Sequence, residues 1–191
     1  MRAGGSSAKG ASFERSVCRD LSLWITGNER DDIFWRTAMS GGRATIGLRT
    51  GKKRDAQAGD AQAIDSLGEA FMRTFSVECK HVKTLQLGQM VAKKSGKTVD
   101  FWRKHRLECR SFDREPFMVA RENRYPTLLL LTEAGLDSLG VEYVTLRSMF
   151  KGRVTVPMPQ FAFTDEICIL DWERFLQETL PPKHLLRGRN R

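Results

Sequence analysis

Apolar residues recur at helical spacing near the start of the chain, at Phe13, Val17, Leu21 and Trp24. That period marks one buried face, so it predicts a helix from about Ser12 to Thr26. Ser12 is a capping residue type, and Gly27-Asn28 supplies a stop. The period then shortens. Ile33 to Met39 alternates and predicts a strand that ends at Ser40-Gly41-Gly42. Gly59 to Ile64 and Thr74 to Val82 predict two more strands around a turn at Asp65-Ser66-Leu67-Gly68. Residues 84–98 are read as a short helix and a Lys93-Lys94-Ser95-Gly96-Lys97 loop. Asp100 is read as the N-cap of a helix to about Asp113, with Phe101, Trp102, His105, Cys109 and Phe112 on its inner face.

Pro116 to Arg121 and Thr127 to Thr132 predict strands, the second apolar throughout and therefore buried on both faces. Val141 to Leu146 predicts another. The tail holds the apolar run Ile167 to Leu170 and a helix from about Asp171 to Glu178. The element order α-β-β-β-α-β is an α/β layer arrangement. Three parts are expected: a Gly/Ser-rich disordered lead-in (1–10), a core (11–132) and a small C-terminal extension with a basic tail (133–191).

Composition narrows the partners. The 191 residues are 40% hydrophobic and 29% charged, as a globular domain with a core requires. Lys and Arg number 32 against 23 Asp and Glu, a net charge of +9 that favours nucleic acid. No apolar run approaches the about 18 residues that span a bilayer, so no membrane is expected. The N-terminus has no apolar h-region, which argues against secretion. Cys18, Cys79, Cys109 and Cys168 are scattered without a C-x-x-C pair, which fits a reducing cytoplasm. Cys79-x-His81 with His105-x-x-x-Cys109 is a poor zinc pattern, and the cysteines are read as small core residues. Trp35 and Trp102 are also read as core. Ser95-Gly96-Lys97-Thr98 ends like a phosphate loop, but Val91 stands where that loop needs Gly.

The chemistry concentrates between residues 59 and 80. Strand alternation sends Phe75, Val77 and Cys79 to one face and Ser76, Glu78 and Lys80 to the other. Charges emerging from an apolar strand are costly to bury, so a use for them is expected. An antiparallel register pairing Ile64 with Thr74 brings Asp60 opposite Glu78. Asp65 is the rival, but placing it there would push the turn into Phe75 and Val77. Two carboxylates and a lysine suit a magnesium-dependent phosphodiesterase: Mg²⁺ takes one or two carboxylates and fills its shell with water and phosphate oxygens.

Gly59-Asp60, a spacer and Val77-Glu78-Cys79-Lys80 resemble the PD-(D/E)xK nuclease superfamily. Lys9-Gly10-Ala11-Ser12-Phe13-Glu14-Arg15 resembles the first helix of archaeal-type Holliday junction resolvases and related phage endonucleases. Arg36-Thr37-Ala38-Met39-Ser40-Gly41 resembles their Arg-x-x-x-Ser-Gly segment. The resemblance covers about residues 9 to 132 and implies a restriction-endonuclease-like α/β fold, a mixed sheet flanked by helices. It implies Asp60 and Glu78 as metal ligands, Lys80 acting on the water, Glu14 as an auxiliary ligand or water holder, and Ser40 near the scissile phosphate. The metal would be Mg²⁺, with Mn²⁺ able to substitute. The expected function is a DNA endonuclease on branched DNA, working as a homodimer. The rivals are a nuclease on linear or flapped DNA and a non-catalytic DNA-binding protein. Arg36, Arg43, Lys52, Lys53, Arg54, Lys83, Lys93 and Lys94 are the expected DNA contacts. The basic insertion between Ser40 and Gly59 is a departure from the usual shorter link.

Overall fold

A computed structural model of the chain describes residues 5–37, 59–141 and 143–186. The first helix, α1, runs Gly5–Ile25, and Phe13, Val17, Leu21 and Trp24 bury its inner stripe as expected. It begins well before Ser12. Ala8, Lys9 and Ala11 are strong helix formers, and they carry residues 5–10 into the helix instead of a disordered lead-in. Gly27 and Asn28, both at positive φ, stop it.

Strand β1 (Phe34–Arg36) pairs antiparallel with β2 (Ala61–Ala63), Phe34 opposite Ala63 and Arg36 opposite Ala61. In this short strand alternation buries Phe34 and turns Trp35 outward, so Trp35 is 52% exposed and not a core residue.

The expected turn after β2 is a helix, α2 (Ser66–Thr74). Asp65 caps it, its side chain accepting the Leu67 N–H at 2.9 Å, and Ala70, Phe71 and Met72 form its buried side. The hairpin and its Ile64–Thr74 pairing are therefore incorrect; the Ile64 N–H bonds to the Ile33 carbonyl instead. Leu67, Ala70 and Phe71 do recur at helical spacing, but the turn-forming residue types of Asp65-Ser66-Leu67-Gly68 mask the helix start, because an N-cap and a turn use the same residues.

Strand β3 (Phe75–Val82) follows directly, then helix α3 (Leu87–Lys93) and helix α4 (Lys97–Ser111). Asp100 lies in the first turn of α4, and Gly96, at φ +102°, takes the capping position. Strands β4 (Glu115–Glu122) and β5 (Thr127–Thr132) complete the first part of the sheet. Helices α5 (Glu133–Ser138) and α6 (Tyr143–Met149) come next. The strand expected over 141–146 is thus mostly helix, because Leu146 and Met149, three apart, pack one face against the core.

Strands β6 (Phe150–Met158) and β7 (Phe163–Asp171), then α7 (Trp172–Glu178) and α8 (Lys183–Leu186), finish the described chain. The five-stranded sheet has the order β3-β4-β5-β7-β6. Strands β3 and β4 are parallel and the other neighbours antiparallel, the expected mixed α/β class. Residues 150–171, expected in an appended extension, supply two strands of this sheet.

Two apolar layers sandwich the sheet. One joins α1, α2 and α7 to Phe75, Val77, Cys79, Phe117 and Leu131. The other joins α3 and α4 to Met118, Ala120, Leu130 and Ile169. Phe71 lies 5.5 Å from Phe34, 5.0 Å from Phe75 and 5.4 Å from Phe117, centroid to centroid. Each such contact adds about 0.5–1.5 kcal/mol beyond area burial. This cluster locks β1 and α2 to the start of β3, which sets where Asp60 can reach.

Candidate active site

Strand β3 is an edge strand, so one row of its backbone groups needs partners from outside the sheet. The segment entering β2 supplies them. The Asp60 N–H donates to the Val77 carbonyl at 2.7 Å, and Asp60 Oδ2 accepts the Cys79 N–H at 2.8 Å. Asp60 thus sits beside Glu78 with a side chain only 7% exposed. The neighbourhood is the one expected, but it arises from an edge contact and not from a hairpin register.

Gly59 makes the approach possible. Its φ is +81°, and a Cβ there would lie 2.4 Å from the Val77 carbonyl oxygen and 2.9 Å from Ser76 Oγ. The Gly before Asp60 is therefore a requirement of backbone packing.

The face of β3 opposite the Phe75–Val77–Cys79 core carries the charges. Lys80 Nζ pairs with Glu78 Oε1 and lies 4.0 Å from Asp60 Oδ2. That face is roofed by α4. Phe101 places its ring 5.6 Å from the Lys80 ammonium, and His105 Nε2 donates to the Ser76 carbonyl at 2.9 Å. Burial works against the Lys80 charge, yet the Glu78 and Asp60 carboxylates outweigh it and hold the ammonium above the ordinary lysine range. Burial drives His105 down to about 4, so it stands neutral in the wall.

Glu14 is bound to Arg36 by two short contacts, 2.9 Å to Nε and 2.8 Å to Nη2. Arg36, expected on the phosphate backbone, thus already has a carboxylate partner. The Arg36 strand reaches the site through the Thr37 N–H, which donates to the Asp60 carbonyl at 2.9 Å. Lys83 is exposed just past the end of β3, and Lys93 is exposed at the end of α3. Lys94 folds back so that Nζ donates to the Val91 carbonyl. Ser40, Arg43, Lys52, Lys53 and Arg54 lie outside the described residues.

Asp65 is excluded from this cluster by its own bonds. It caps α2 and pairs with Arg30 at 2.9 Å. The zinc pattern also fails geometrically: Cys79 points into the first apolar layer, while His105 packs on the opposite face of β3. All four cysteines are buried and free, and burial raises the Cys18 thiol to about 12.

One acid near this cluster carries no sequence motif. Glu108 Oε1 on α4 accepts the Gly59 N–H at 3.4 Å. Burial raises its carboxyl above the usual range, with the Glu78 and Asp60 charges adding to it. Its signal lay in helical spacing, since Phe101, His105 and Glu108 fall on adjoining positions of one side of α4.

Among the described residues, no three acidic, His or Cys side chains form a closed metal cage. The donors present are two hard carboxylates already gathered about one cation, the Lys80 ammonium. Two hard carboxylates are donors of the kind that suits Mg²⁺, an ion that fills the rest of its shell with water and phosphate oxygens, and they are too few for a closed zinc cage.

A mixed sheet with an acidic pair and a lysine at its edge strand accords with a family model that spans residues 5–178, that of phage putative PDDEXK endonucleases. The chain belongs to this family. It is therefore a member of the PD-(D/E)xK nuclease superfamily with a restriction-endonuclease-like fold. The matched region runs through β6, β7 and α7, and so takes in residues 133–178 of the 133–191 segment expected as an extension. No curated protein matches the chain, and neither does any solved structure. No helix among the described residues is long and apolar enough to cross a membrane.

Proposed function

We propose that the protein is a divalent-metal-dependent DNA endonuclease that hydrolyses phosphodiester bonds at the Asp60–Glu78–Lys80 site. The observation that carries this reading is the convergence of Asp60 and Glu78 on the Lys80 ammonium at an edge strand. Asp60 and Glu78 would hold Mg²⁺, or Mn²⁺ in its place, through carboxylate oxygens. When bound, the ion lowers the pKa of a coordinated water and offsets phosphate charge. Lys80, kept charged by its two carboxylates, orients the attacking water and stabilises the negative charge that builds on the phosphate. Asp60 needs little reorganisation for this work, because the Cys79 N–H fixes one of its oxygens. Glu14, held by Arg36, would serve as an auxiliary ligand or water holder, and the family resemblance gives Ser40 a role at the scissile phosphate.

The substrate we assign is branched DNA, on the resemblance of the Glu14 and Arg36–Gly41 segments to Holliday junction resolvases. A two-fold homodimer would offer one site to each of two strands. The net charge of +9 supports a polyanionic substrate, with Lys83, Lys93, Lys94, Arg43, Lys52, Lys53 and Arg54 as backbone contacts. The test incubates the purified protein with four-way junction, flap, duplex and single-stranded DNA, with Mg²⁺ and with chelator. Junction cleavage that needs the metal is expected. Cleavage that survives exhaustive chelation would overturn the metal mechanism, and equal cutting of all four substrates would overturn the junction assignment.

A further inference from the structure

Glu108 belongs to a different element from every residue of the motif. It stands on α4, two turns after Phe101, and its Oε1 accepts the Gly59 N–H at 3.4 Å. That hydrogen bond is long for a carboxylate acceptor, and it is directed at the residue whose conformation delivers Asp60 to β3. The Glu108 side chain is therefore placed to act on the site twice, through the backbone of Gly59 and through its charge.

We propose that Glu108 is a positioning residue of the metal site: it ties the Gly59–Asp60 segment to α4 and adds a third negative charge that strengthens divalent-cation binding by Asp60 and Glu78. The proposal rests on the reading of Asp60 and Glu78 as the metal-holding pair. Several observations bear on it independently of any motif. Glu108 feels the charges of both Glu78 and Asp60, so the three carboxylates share one field. Among the described residues Lys80 pairs with Glu78 and approaches Asp60, and forms no ion pair with Glu108. Lys104, one turn earlier on α4, offsets part of the Glu108 charge. A carboxylate standing behind the direct ligands orients them and adds to the attraction for the ion.

Glu108→Gln separates the two actions, because the amide oxygen still accepts the Gly59 N–H while the charge is gone. The experiment titrates Mn²⁺ into the DNA-free protein by calorimetry, for the native chain, Glu108→Gln, Glu108→Ala and Asp60→Asn. Thermal unfolding is followed by circular dichroism on the same samples. Glu108→Gln is expected to unfold at the native temperature and to bind Mn²⁺ about tenfold more weakly. Glu108→Ala should bind it more weakly still. Native Mn²⁺ affinity in Glu108→Gln, with binding lost in Asp60→Asn, would overturn the role of Glu108 and leave the metal pair standing. Unchanged affinity in Asp60→Asn, or no Mn²⁺ binding by the native chain, would overturn the metal pair itself and the proposal with it.

Discussion

Asp60 accepts the backbone N–H of Cys79 at 2.8 Å, so a side chain completes a hydrogen bond that a neighbouring strand would otherwise make. The bond anchors the Asp60 carboxylate to the same strand that projects Glu78 and Lys80. The relative position of the two acids is therefore set by the edge of β3.

This anchoring separates Asp60 from its neighbour Asp65. Asp60→Asn, Glu78→Gln and Lys80→Met should each lower single-turnover DNA cleavage by about a hundredfold to a thousandfold or more. Binding to the same DNA should change little. Asp65→Ala should leave cleavage near native and cost about 1 kcal/mol in urea unfolding, since it removes the α2 cap. Loss of cleavage in Asp65→Ala with activity retained in Asp60→Asn would reverse the assignment.

Gly59 should tolerate no side chain. Gly59→Ala meets both a positive φ and the Val77 carbonyl at 2.4 Å. The expected outcome is a loss of about 1–3 kcal/mol in stability together with loss of cleavage, since Asp60 moves with the backbone. Native stability and activity in this variant would show that β3 yields at Val77.

His105 should give the protein an acid-sensitive core. Its ordinary value of 6.5 falls to about 4 in the fold because burial disfavours the charged ring. The unfolded chain then binds the proton more readily than the native one between these values, so stability is full above pH 6.5 and declines as pH falls toward 4. The loss is on the order of 3 kcal/mol. Urea unfolding across this window, compared with His105→Gln, checks the sign: the variant should lose this component of the pH dependence.

Much of the site was legible because strand alternation is a local property. Phe75, Val77 and Cys79 had to share one face, and Glu78 and Lys80 the other, whatever β3 paired with. The stripe of α1, the apolar run of β5 and the helix after Asp171 were legible for the same reason: each pattern repeats along one element. The alternation Val154-Thr155-Val156-Pro157-Met158 was equally present, although β6 was not among the expected strands.

Partner choice is not local, and there the tertiary structure decided. The three-residue strand β2 could be read as pairing with β3, but Phe34 and Phe71 pack it onto β1 and insert α2 before β3. Which strand lies at the sheet edge depends on the whole order β3-β4-β5-β7-β6, and only at that edge are the Val77 carbonyl and Cys79 N–H open to Asp60. Glu108 likewise reaches Gly59 only because α4 crosses the charged face of β3. A period records which way a side chain points; the packing of apolar faces, summed over distant segments, fixes what it meets.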